Sequence, residues 1–86
     1  MRYRVEFAPP AQRQIRKLPR ETQKRVLQRI ADLGMDPRPV GVKKLVDEEN
    51  LYRVRLGDYR IVYQIRDREL VVLIVKVGHR REIYNH

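Results

Sequence analysis

Arg53 and Arg55 stand two apart in Leu51-Tyr52-Arg53-Val54-Arg55-Leu56. In an extended strand both guanidiniums project from one side, and Tyr52, Val54 and Leu56 from the other. Gly57-Asp58 has the composition of a tight turn, and a hairpin closed there brings Arg60 onto the same surface. A guanidinium has five N–H donors, no acceptor and a permanent charge. Three of them together suit phosphate oxygens and the extra charge of a phosphorane-like transition state. Each arginine taken alone fits a solvated outer sheet face better, and the three together shift the reading towards binding.

A second polar group, Gly78-His79-Arg80-Arg81-Glu82-Ile83-Tyr84, follows the most apolar stretch of the chain. His79 and His86 are the two histidines, and their ordinary pKa near neutrality suits proton transfer. Tyr84 can stack on an unpaired base, as aromatic rings of RNA-binding modules do. The plainer alternatives are a surface-loop histidine and a tyrosine packed on the core.

The chain that must position these groups is short. Its 86 residues make one domain, 1–86, with a single layer packing and no deep cofactor cavity, so no cofactor is expected. Twenty Lys and Arg against eleven Asp and Glu leave a net charge of +9, and the pI near 10.5 points to an anionic partner. The absence of cysteine removes disulfides, thiolate zinc sites and Cys nucleophiles, and fits a cytoplasmic location. Neither a secretory leader nor a membrane span is expected, because the longest apolar run, Leu70 to Val75, falls far short of the ~20 residues a span requires.

Alternation of Tyr3, Val5 and Phe7 with charged neighbours predicts a strand over Arg2–Phe7. Pro9-Pro10 then opens a helix to about Lys17, with Ala11, Ile15 and Leu18 on one stripe. Pro19 separates it from a longer helix over Arg20–Leu33, which Gly34 ends, before the loop Asp36–Pro39. Leu51–Leu56, Tyr59–Arg66 and Glu69–Val77 read as a three-stranded meander, with Val42–Val46 a weak strand or extended loop. The last strand, apolar on both faces, belongs in the centre beside the first. The result is an α+β, β-α-α-β-β-β fold: two N-terminal helices on one face of a small, mainly antiparallel sheet, the other face open.

These residues carry a resemblance. The arginine strand, the stretch Gly57-Asp58-Tyr59-Arg60-Ile61-Val62-Tyr63, the string Val77 to Tyr84, the Tyr-x-Val-x-Phe start, Lys17-Leu18-Pro19 and Lys44-Leu45 resemble the RelE toxins of the RelE/ParE superfamily across nearly the whole chain. The resemblance implies the RelE-like, microbial-ribonuclease-type fold and a toxin of a type II toxin–antitoxin pair. Such a toxin cuts messenger RNA in the ribosomal A site without metal, by attack of the 2′-hydroxyl on the adjacent phosphate. The implied partners are the 70S ribosome with its message and a RelB-like antitoxin, acidic and amphipathic, through which the complex binds operator DNA.

Residue by residue, the resemblance makes Arg53 and Arg55 the paired basic positions, Arg60 the phosphate-stabilising arginine, Arg80 the acid and Tyr84 the stacking ring. Lys43, Lys44 and Arg81 are further candidates for holding the substrate. The sequence departs from the best-known pattern at Arg53 and Arg55, where lysine is usual, because a guanidinium is effectively never deprotonated. His79 is the preferred proton-transfer group, the alternative being a slower enzyme with no dedicated base. Two other functions compete: a ParE-like inhibitor of DNA gyrase, and an inactive RNA-binding or co-repressor member. The superfamily holds more than one activity on one fold.

Overall fold

A computed structural model describes residues 2–45 and 50–79. The elements are β1 (Arg4–Phe7), α1 (Pro9–Arg16), α2 (Arg20–Met35), β2 (Lys43–Lys44), β3 (Leu51–Leu56), β4 (Tyr59–Arg66) and β5 (Val71–His79). They build one five-stranded sheet in the order β1-β5-β4-β3-β2, parallel only at β1–β5. The α+β class and the central place of the last strand agree with expectation. The weak strand contracts to Lys43–Lys44, two charged residues on the sheet's outer edge, where charge discourages pairing with another chain.

The helices cover one face. Proline occupies the first two positions of α1, where its missing N–H leaves no bond unmade, and Ala11 and Ile15 turn inward one helical turn apart. Gln23 donates its side-chain amide to the Ile15 carbonyl, satisfying an end group of α1 from the next helix. Val26, Ile30 and Leu33 of α2 pack with Tyr52, Val54, Ile61, Tyr63, Ile65, Val72, Ile74 and Val77 of the sheet as the main core. The opposite face carries a smaller cluster, Leu51 and buried Val62 with Leu45 and Val75.

Gly34 does not end α2, which continues to Met35. Its role is close approach: a Cβ there would lie 3.1 Å from the Tyr3 carbonyl oxygen and 3.2 Å from a Val5 methyl. The Tyr3 N–H donates to the Gly34 carbonyl at 2.8 Å, so helix and strand are held together at that point. Gly57 does serve the turn expected of it, with φ of +59° in the two-residue loop between β3 and β4.

The segment between α2 and β2 is pinned by side chains of β3, β4 and the turn after β4. The hydroxyl of Tyr63, itself fully buried, donates to the Pro37 carbonyl at 2.7 Å, and burial pushes that phenol's pKa well above its ordinary value. Arg38 lies 5.3 Å over the Tyr52 ring, which stacks on Tyr63 at 6.0 Å. The same guanidinium forks onto Asp67 at 3.3 and 3.0 Å, while the Tyr3 hydroxyl donates to Asp67 at 2.7 Å. Those two donors, Arg38 foremost, hold the Asp67 carboxyl below its usual pKa, and the hydrogen bond that Tyr3 donates to Asp67 raises the pKa of that phenol.

Two outcomes are expected. Gly34→Val should destabilise the fold by roughly 1–3 kcal/mol, because the added carbons meet backbone; an unchanged urea midpoint would contradict the close-approach role. Since the folded pKa of Asp67 is depressed, its contribution is full above the unfolded value of about 3.9 and is lost as pH falls through the folded one. The parent's urea midpoint should therefore drop more between pH 6 and pH 3 than that of Asp67→Asn. Equal drops would rule out the clasp as a stabilising contact.

Candidate phosphate-binding cleft

Antiparallel pairing sets the composition of the open face. Arg55 lies directly across from Arg60, and in the next row Lys43 lies across from Arg53, so each pair shares a face. The four side chains and Gly41 line one cleft of about 240 Å³. Arg53 and Arg60 are half-buried, Lys43 and Arg55 exposed. Hairpin carbonyls orient two of them: Arg55 donates through Nε to the Gly57 oxygen at 3.2 Å, and Arg60 to the Tyr59 oxygen at 3.4 Å.

Like charges directly opposite on a sheet are destabilising, and here two such pairs are stacked side by side. A phosphate seated between the rows replaces that repulsion with charge-assisted hydrogen bonds. Among the described residues, no three His, Cys, Asp or Glu groups gather where they could hold a metal ion.

His79 is not brought to this cleft. Val62 pairs with Lys76 but Tyr63 with Ile74, so Val75 is an extra residue on β5, a bulge that reverses the alternation beyond it. Lys76 is thereby placed on the open face, Val77 in the core, and His79 on the helix side opposite Tyr59, their rings 5.8 Å apart edge to face. There His79 lines a separate hollow with Gln14, Lys17, Leu18, Pro19 and Tyr59. Unbroken alternation would have turned its ring to the arginines.

Lys44 pairs with Tyr52 and so shares the face of that core ring, away from the cleft. Arg80, Arg81 and Tyr84 lie outside the described residues. Lys76 is a functional-face cation that the sequence analysis does not single out, a charged side chain inside the apolar run of the last strand. The three-residue step between inward Ile74 and Val77, where two is regular, was the available signal.

The sheet face and its cleft define a small basic α+β protein with four cationic side chains around one opening. The chain belongs to the ParE toxin family: the model of that family, the ParE toxin of the type II toxin–antitoxin system parDE, matches residues 5–84. Its relatives bear RelE-type names, and it is a type II toxin of that RelE-like group. It is similar to Toxin RelG of Mycobacterium tuberculosis, 34% identical over 85 residues and 98% of each chain. It is also similar to the mRNA interferase toxin RelE of Escherichia coli, 29% identical over 99% of this chain and 93% of the other.

Solved structures agree. A chain of a RelBE toxin–antitoxin complex from Mycobacterium tuberculosis superposes with a TM-score of 0.83 at 33% identity, covering 93% of both chains. One from the intact Escherichia coli RelBE complex gives 0.80 at 28%, covering 90% of this chain and 95% of that one. No helix among the described residues is long and apolar enough to cross a membrane.

The cleft itself is testable without any assay of function. Binding of single-stranded RNA should weaken as salt rises, and Arg53→Gln should reduce the log–log salt slope by about 0.7, the share of one phosphate contact on a single strand. A slope equal to the parent's would mean that Arg53 touches no phosphate.

Proposed function

We propose that this toxin is a ribosome-dependent endoribonuclease that cuts messenger RNA in the A site. The observation that carries the reading is the double row of opposed cations, Arg55–Arg60 and Lys43–Arg53, around a single cleft. The mRNA interferase name of the Escherichia coli relative supports it.

The nucleotide's own 2′-oxygen attacks the adjacent phosphorus, the O2′–P bond forms, and the P–O5′ bond breaks. The products are a 2′,3′-cyclic phosphate and a 5′-hydroxyl. Arg53, Arg55 and Arg60 neutralise the phosphate and the charge that grows on it, in a cleft whose donors are already aimed. Arg80 is assigned to the leaving oxygen, Tyr84 to stacking a base of the message, and Arg81 and Lys44 to holding RNA beyond the cleft. The helix-side hollow, with His79, lies off this path.

A RelB-like antitoxin is the proposed silencing partner, and its site is to be complementary to a +9 surface: acidic, with an apolar side. Exposed Leu27 and Met35, eight residues apart on one side of α2, suit that apolar side. The antitoxin is also the proposed route by which the pair reaches operator DNA, and the cytoplasm the proposed location.

In a purified translation system the parent should cut translated messages to ends bearing a cyclic phosphate. Arg60→Ala should slow single-turnover cleavage by about 10²–10³, the usual loss for one preorganised donor. Parent-like cutting by Arg60→Ala would remove the cleft from the chemistry. The ParE name of the family model favours a second reading, inhibition of DNA gyrase, and blocked supercoiling with translation untouched would establish it instead.

A further inference from the structure

The cleft poses a chemical question that its arginines do not answer. As the 2′-hydroxyl attacks, its proton must leave. A guanidinium, with a pKa above about 12, stabilises the charge but does not accept that proton. Of the side chains that line the cleft, three are arginines and one is a lysine, Lys43. Its amine is the single group there that can exist in a neutral, proton-accepting form.

The placement follows from the fold. Lys43 sits on edge strand β2, directly across from Arg53, with Arg55 and Arg60 completing the lining and Lys76 further along the same row beyond Val62. Among the described residues, the carboxylate on this face is Glu6 of β1, which is engaged by Arg4 and does not line the cleft, and the bulge at Val75 turns His79 to the helix side. The approach to β2 is fixed from behind: Pro37 and Arg38 are tied to Tyr63 and Asp67, and the Val42 N–H donates to the Pro39 carbonyl at 3.1 Å.

We propose that Lys43 is the general base of the cleft, its neutral amine taking the proton from the attacking 2′-hydroxyl. The inference rests on the endoribonuclease reading above and deepens it. In the step, the 2′-oxygen's O–H pair forms the new bond to phosphorus, and the proton passes to the Lys43 Nζ, which becomes an ammonium. The P–O5′ pair leaves with O5′, which takes a proton from solvent water or from an acid of the protein. The ammonium returns its proton to solvent after the products separate.

The experiment separates charge from proton transfer. Lys43→Arg keeps the cation on the edge strand but cannot accept the proton. In single-turnover cleavage of ribosome-bound message it should be slower by about 10²-fold or more, the usual share of a general base. Its affinity for ribosomes carrying a message with a 2′-deoxy nucleotide at the cleavage position should stay within twofold of the parent's.

The chain contains no cysteine, so Lys43→Cys introduces its single thiol. Alkylating the purified variant with bromoethylamine before mixing restores a side-chain amine of nearly lysine length and should recover at least tenfold in rate. Alkylation with iodoacetamide should recover nothing. Circular dichroism of each form checks that the fold is kept.

Cleavage by Lys43→Arg within threefold of the parent, with the parent active, overturns the assignment of the base and leaves the ribonuclease reading in place. Equal rates after the two alkylations overturn it as well. A parent that leaves ribosome-bound message intact overturns the reading itself, and the base with it.

Discussion

Strand β5 is central to the sheet, and the extra residue it carries at Val75 decides which face each later side chain takes. Before the bulge, β1 pairs with its outer edge from Val71 to Ile74. After it, that edge is met by α1, where the Val77 N–H donates to the Gln14 side-chain oxygen at 2.7 Å. The register shift turns Val77 into the core beneath α1, and as a necessary consequence Lys76 goes to the open face and His79 to the helix side. A side-chain period of two allows no other result. Packing under α1 and the composition of the cleft are therefore one constraint.

The opposite margin of the cleft depends on a second, more distant set of contacts. Arg38 joins Asp67 in the β4–β5 turn to the Tyr52–Tyr63 stack on the core face, and the Tyr63 hydroxyl holds the Pro37 carbonyl. These ties fix where the chain enters β2, and β2 is only two residues long. So short an edge strand has little hydrogen bonding of its own to hold Lys43 across from Arg53. The clasp on the helix side supplies part of that constraint, and it couples the carboxylate of an exposed turn to the geometry of the cationic cleft.

Much of this was legible in the residues. Period-two alternation at Tyr3, Val5 and Phe7 and at Tyr52, Val54 and Leu56 identifies the strands, proline pairs and helical spacing identify α1 and α2, and Gly57 marks the hairpin that brings Arg60 to Arg55. Gly34 was misjudged because a glycine near a helix end has two physical uses. The sequence signals that one is needed, whereas only the Tyr3 carbonyl oxygen, 3.1 Å from where a Cβ would stand, shows that it is close approach. His79 is singled out by its chemistry and by the resemblance, neither of which tells which face of the sheet it takes. The hydrophobic spacing that changes from two to three at Val77 marks the bulge that turns it to the helix side. The Arg38–Asp67 clasp joins residues 29 apart and left no local pattern to read.

The double row of like charges is the feature that stability alone does not explain. Placing Arg55 across from Arg60 and Lys43 across from Arg53 sets like charges side by side, and such local conflicts are expected where function rather than folding sets the residue types. The most direct measurement is a structure of the toxin on a ribosome whose message carries a 2′-deoxy nucleotide at the cleavage position. The account predicts the adjacent phosphate between Arg53, Arg55 and Arg60 on the open face of the sheet. A phosphate seated instead in the helix-side hollow beside Tyr59 and His79 would contradict it.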